Sequence, residues 1–290
     1  MIELLEVVLA VAALLTAAYV VATALLRRLP APARQLGSAP IPERWADILE
    51  RNVPLTRGLS PAERDRLLRL VQRFLRDKHI EGAGGLTVTE EMKVTIAAEA
   101  CLLLLELGGP CYPALRTVLV YPASFVPKHA GLLRTGQIAP VPVPLMGESW
   151  RDGVVVLSWD DVVRGAREPG VHDNVVLHEF AHQLDQEDGA GDGTPMLTGS
   201  AVRTWGRVLS EEYERLRRDA AADRPSVLDR YGAQDKAEFF AVATEAFFEQ
   251  PHELERDHAE LYAQLRQFYG QDPARRAPPP TPPPPPPAAA

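Results

Sequence analysis

The stretch Asn174-Val175-Val176-Leu177-His178-Glu179-Phe180-Ala181-His182-Gln183-Leu184-Asp185 decides the reading of this chain. Its apolar residues recur at helical spacing without a proline or glycine, and the pattern predicts a helix over about 172–186. Four residues turn a helix through about 400°, so His178 and His182 project ~40° apart on one face. Two imidazoles so placed reach a single ion, and imidazole suits zinc. Glu179 points to the side, where it misses the metal and takes a proton from a water that the metal polarises. Val175, Val176, Phe180 and Leu184 supply apolar flanks that would bury the helix. Asp185, three residues past His182 on the same face, is placed to accept the outer N–H of a metal-bound imidazole.

A catalytic zinc takes three protein ligands and keeps a fourth position for water. The metzincin spacing is excluded, because Asp185 stands at its glycine position and Asp188 at its third histidine. The third ligand is therefore sought downstream, in the strongly helical Lys236–Gln250 (KAEFFAVATEAFFEQ). Glu238, Glu245 and Glu249 lie on one face of that helix. A carboxylate among so many phenylalanines is costly unless it is paired or bound to metal. Spacing alone does not choose among the three. The intervening Gln186–Pro195 (QEDGAGDGTP) lacks the EF-hand pattern and reads as a mobile loop near the site.

Outward from this centre, the chain divides by composition. Of 27 prolines in 290 residues, four fall between Pro30 and Pro42 and ten from Pro273 onward, which leaves ordinary usage between. The formal charge of −8 belongs to that middle segment, since each flank is slightly basic. This balance excludes a nucleic-acid partner, which needs a basic face to replace phosphate counterions. Two cysteines, Cys101 and Cys111, allow neither a disulfide framework nor a cysteine zinc knuckle, and read as reduced structural thiols. Four segments are expected: 1–28 an anchor, 29–42 a proline-rich linker, 43–270 one folded domain, and 271–290 a disordered Pro/Ala tail. Val7–Leu26 is an uncharged run of 20 residues, long enough to cross a bilayer as one helix. Glu3 and Glu6 precede it while Arg27, Arg28 and Arg34 follow, unlike the basic start of a cleaved signal peptide. The expectation is a single-pass anchor in a bacterial inner membrane with the folded domain on the cytoplasmic side, a soluble cytoplasmic protein being the alternative.

Within the domain, Ser60-Pro61-Ala62-Glu63 opens a helix to about Lys78, and Thr87 with Glu90 opens a second that ends at Gly108-Gly109. Thr117–Tyr121 and Gly153–Trp159 are β-branched and read as strands, with Val141–Pro144 an extended segment between them. Further helices are predicted at about 160–166, 198–220, 235–249 and 252–269. The fold class is α+β, mainly helical, with a small central sheet.

The chain resembles the Mlc titration factor A family of bacterial zinc peptidases. The likeness rests on VLVYPASFV (Val118–Val126), GESW (Gly147–Trp150), VVLSWDDV (Val155–Val162), NVVLHEFAHQLD (Asn174–Asp185) and AEFFAVATEAFF (Ala237–Phe248). It implies a zincin-like metallopeptidase domain with one Zn²⁺ per chain, acting on a peptide or protein substrate. Around the metal that family is similar to the catalytic domain of anthrax lethal factor, where a Tyr-Gly pair precedes an Ala-Glu-Phe-Phe-Ala helix. Tyr231-Gly232 and Ala237–Ala241 match those positions. The resemblance thus selects Glu238 as third ligand and Tyr231 as the phenol that steadies the oxyanion. Lethal factor carries a second glutamate one turn after its ligand, where this chain has Val242; Glu245 is then the candidate for that outer place. The family picture also makes Gly153–Ser158 a substrate-aligning edge strand, and its name implies binding of a transcriptional regulator.

Overall fold

The structure is a computed structural model, and it describes residues 40–123, 153–167, 174–197 and 200–276. The expected anchor Val7–Leu26, most of the linker, GESW, Val141–Pro144 and the tail past Arg276 lie outside the described residues. Among the described residues no helix is long and apolar enough to cross a membrane.

In chain order the elements are α1 (Glu43–Asn52), α2 (Pro61–Asp77), β1 (His79–Gly82), α3 (Glu90–Leu103), β2 (Thr117–Tyr121), β3 (Val154–Ser158) and α4 (Trp159–Arg167). The remainder are α5 (Val175–Asp185), α6 (Ser200–Ala221), α7 (Lys236–Glu249), α8 (Pro251–Asp257), α9 (Ala259–Tyr269) and α10 (Pro273–Arg276). The fold is mainly helical with one small sheet, as the patterning predicts. The three strands pair in parallel in the order β1-β2-β3, His79 opposite Thr117 and Thr117 opposite Val154. Among the described residues β3 has β2 on one side and no strand on the other.

Local chemistry sets the helix ends. Ser60 accepts from the Glu63 amide while the Glu63 carboxylate accepts from the Ser60 amide, the capping box that starts α2 behind Pro61. The second box is displaced by two residues. Thr89, not Thr87, caps α3, and its hydroxyl accepts from the Met92 amide. Several short elements escaped the sequence reading, α1 and β1 among them. In α1, Trp45, Ile48 and Leu49 form a buried i, i+3, i+4 stripe, and Glu90 anchors it through Arg44 and the Trp45 indole. Strand β1 (HIEG) buries only Ile80 and carries no alternation to detect.

The single helix expected over 252–269 is two. The chain breaks at His258, whose ring is buried on Glu212 (Nδ1 to Oε2 2.7 Å), and Arg215 takes the Asp257 carbonyl that the break exposes (2.9 Å). Order also persists beyond residue 270, because Pro273 is buried, α10 packs on α8, and Arg276 pairs with Glu63 at the start of α2. One contiguous core joins all of this. Helix α5 lies at its centre, packed against α7 and α3 and touching β3.

Candidate metal centre

Helix α5 begins at Asn174, whose side-chain oxygen accepts from the Leu177 amide at 2.9 Å. Val176, Leu177, Phe180, Ala181 and Leu184 are buried, which fixes the helix's rotation. That rotation carries His178 and His182 to one side, toward α7. There Asp235 caps the helix by accepting from the Glu238 amide (2.9 Å), so Glu238 sits in the first turn, where helix amides favour an anion. Phe239 and Phe240, both fully buried, lock this turn in place.

Three ligand atoms converge. His178 Nε2 is 3.0 Å from Glu238 Oε2, His182 Nε2 is 3.4 Å from the same oxygen, and the two Nε2 atoms are 3.2 Å apart. A tetrahedral ion with bonds of roughly 2.0–2.1 Å has ligand atoms about 3.3–3.4 Å apart. The three groups therefore fit a metal ion at that spacing, and they are the His/His/Glu group that the described residues bring within metal-binding reach. The electrostatics agree. His178 Nδ1 meets Glu245 Oε1 at 2.7 Å, so Nδ1 carries a proton and Nε2 is turned to the site. Without a cation, burial opposes charge on this ring, but hydrogen bonds to Glu238 and Glu245 outweigh it and push His178 up to about 10. Burial holds His182 low against the pull of Glu238. Glu238 falls to about 2, because burial is overcome by its hydrogen bonds from both histidines.

The neighbours are equally defined. Glu179 is nearly buried, and burial raises its carboxyl to about 7 against the opposing pull of His178. Tyr231 lies in a short 3-10 turn (Arg230–Ala233) started by Asp229, whose carboxylate accepts from the Tyr231 amide at 2.7 Å. Gly232 lets that turn lie on α7, for a Cβ there would stand 3.2–3.3 Å from Leu216, Val242 and Phe239. The Tyr231 ring centre is 5.8 Å from that of His178, and the residue is 47% exposed. Burial, then the carboxylates of Glu238 and Glu179, raise its hydroxyl and keep it a donor.

Other sequence-predicted residues separate here. Glu245 is on His178 and also accepts from the Asn174 amide (3.1 Å). Glu249, at the last residue of α7, is not in the converging group. Asp185 is fully buried, but its Oδ2 accepts from the Gly193 amide at 2.9 Å and not from a histidine. It thereby ties down the glycine-rich segment expected to be mobile. Trp205 donates to the Gly193 carbonyl at 3.0 Å, and Gly189, Gly191 and Gly193 take positive φ to make the path possible. Sequence reasoning singled out neither Asn174 as a cap nor Glu99 as a buried carboxyl. An asparagine just before an apolar helix, and one carboxyl inside Val94–Leu105, were the available signals.

Comparison with known proteins follows the same lines. The family model described as "Glucose-regulated metallo-peptidase M90" matches residues 28–270. An uncharacterized protein of Synechocystis sp. is 38% identical over 242 residues, 83% of this chain and 88% of that one. The Mlc titration factor A of Serratia proteamaculans is 33% identical over 235 residues, 80% of this chain and 88% of the other. That of Escherichia coli is 32% identical over 240 residues, covering 80% and 87%.

Proposed function

Because the chain belongs to the glucose-regulated metallo-peptidase M90 family, we propose that it is a zinc-dependent peptidase in which His178, His182 and Glu238 hold the ion. The observation that carries this is the convergence of two Nε2 atoms and one carboxylate oxygen at 3.0–3.4 Å. A zinc ion held there would supply Lewis acidity that brings the pKa of water toward about 7. Glu179 takes the proton of the attacking water and passes it to the leaving amine. Tyr231 donates its hydroxyl to the oxyanion as the carbonyl becomes tetrahedral. Glu245 holds the His178 proton on Nδ1 and so keeps Nε2 available. The substrate peptide adds as a strand to β3; backbone N-methylation should then weaken binding at alternate positions only, and a uniform response would exclude strand addition.

Metal content and turnover of a mixed peptide library, measured on one preparation, test the proposal. Glu179→Gln should keep stoichiometric zinc and lose at least about 10³-fold in kcat. Glu238→Ala should lose zinc. A Glu179→Gln protein cleaving at the wild-type rate would overturn the mechanism, and full zinc in Glu238→Ala would remove that residue from the ligand set.

A second reading has its own support, in the name of the relatives: Mlc titration factor A. It makes the chain a binder of a transcriptional repressor, with proteolysis secondary. Equal capture of such a repressor by wild type and Glu179→Gln, with no cleavage by either, would favour it. We further place the Val7–Leu26 run in the bacterial inner membrane with the domain on the cytoplasmic side, on the charge asymmetry around it. Extraction of the full chain by alkaline carbonate would overturn that placement.

A further inference from the structure

Asn174 is 1% exposed and uses every polar group it has. Its carbonyl accepts from the His178 amide at 3.0 Å, and its side-chain oxygen caps α5. Its backbone N–H donates to Glu245 Oε2 at 3.1 Å, while the other oxygen of that carboxylate is on His178 Nδ1. Its side-chain Nδ2 donates to Glu99 Oε1 at 3.0 Å. Glu99 is also 1% exposed, on α3, with Val94, Ile96, Ala97, Ala98 and Ala100 around it in sequence, all buried. Its second oxygen has no hydrogen-bond partner. A buried, half-satisfied carboxyl is a poor choice for stability, since a leucine would fill such a place at lower cost.

We propose that Glu99 and Asn174 are positioning residues of the metal centre, holding the Glu245 carboxylate and through it the His178 ring in ligating orientation. The inference rests on the metal reading given above. Its logic is that of orientation. An amide side chain placed with oxygen and nitrogen exchanged would lose the α5 cap. The Leu177 N–H requires Oδ1, and Glu99 Oε1, accepting from Nδ2, holds the side chain in that placement. With that placement fixed, the start of α5 is fixed, and the Asn174 N–H aims at Glu245. Three helices, α3, α5 and α7, are thereby joined through one asparagine at the point where the imidazole is aimed.

The test is metal binding by the full chain, read as the zinc dissociation constant and as the visible spectrum of the cobalt(II)-substituted protein. Glu99→Leu removes the acceptor and should weaken zinc about tenfold and alter the cobalt spectrum, the low end of what supporting partners contribute. Glu99→Gln keeps an acceptor at Oε1 and should restore both. A folded Glu99→Leu protein with wild-type zinc affinity and cobalt spectrum would overturn the proposal. If Glu99→Leu does not fold, Asn174→Asp replaces it: the cap survives, the donor to Glu99 is gone, and unchanged affinity would be equally fatal. Absence of zinc binding by the wild type would overturn the metal reading itself, whereas equal binding by wild type and variants overturns only the positioning roles.

Discussion

His178 is held from both ring nitrogens by carboxylates seven residues apart on one helix, Glu238 on Nε2 and Glu245 on Nδ1. That arrangement explains why residue spacing singles out the two histidines but does not choose among the glutamates of α7. Glu238, Glu245 and Glu249 share a face, and only the axial position of α5 against α7 decides which one meets which nitrogen. Asp185 misled for the same reason: its spacing was right for His182, but the nearest donor in three dimensions is a backbone amide eight residues on. Glu99 shows a third outcome. Its carboxyl is pushed up to about 8 because burial penalises the charge, with the Asn174 hydrogen bond opposing. A folded-state pKa above the unfolded 4.5 means that the folded chain binds more protons, so this group's contribution is intact below pH 4.5 and is lost as pH rises toward about 8. Glu99→Gln should therefore gain on the wild type by up to ~1.4 kcal/mol per pH unit across that window. Urea unfolding of both proteins at pH 5, 6.5 and 8 checks it, and a constant difference would contradict it.

At the scale of elements, α2, α3, α5 and α7 were legible because each opens on a capping side chain and carries buried apolar residues. The loop between α5 and α6 was not, since glycines signal freedom in sequence and here provide close approach. Gly193 has φ +81°, and a Cβ on it would lie 2.3 Å from the Lys236 carbonyl, at the first residue of α7. Its N–H and C=O are taken by Asp185 and Trp205. One residue thus lies between the end of the helix of the two histidines and the start of the helix of Glu238. Gly193→Ala should cost roughly 2–4 kcal/mol and lower Tm by about 5–10 °C. Gly189, with φ +88° and open space around it, supplies the control: Gly189→Ala meets the backbone penalty alone, about 1 kcal/mol. Differential scanning calorimetry of the pair separates clash from strain, and equal losses would mean that the Lys236 contact is without consequence.

For the whole molecule, composition placed the end of the folded unit at residue 270, whereas packed residues continue through Arg276, the last described residue. The Arg276 guanidinium binds Glu63 and Gln271 (2.9 Å to Gln271 Oε1), Gln271 donates to the Leu102 carbonyl at 2.8 Å, and Tyr262 donates to Asp272 at 2.7 Å. A run of proline and alanine begins directly afterward, and it masked this clasp in a compositional reading. A chain ending at Arg276 should unfold like the full-length protein, while one ending at Gly270 should lose roughly 2–4 kcal/mol by denaturant midpoint. The same long reach has a consequence in time. His178 and Glu238 are 60 residues apart, and ribosomes add about 5–20 residues each second, so Glu238 follows His178 out by some 3–12 s at least. Through that interval the nascent chain carries the motif but not the centre. Whatever this centre binds, His178 and His182 must wait for α7 to be made before Glu238 can join them.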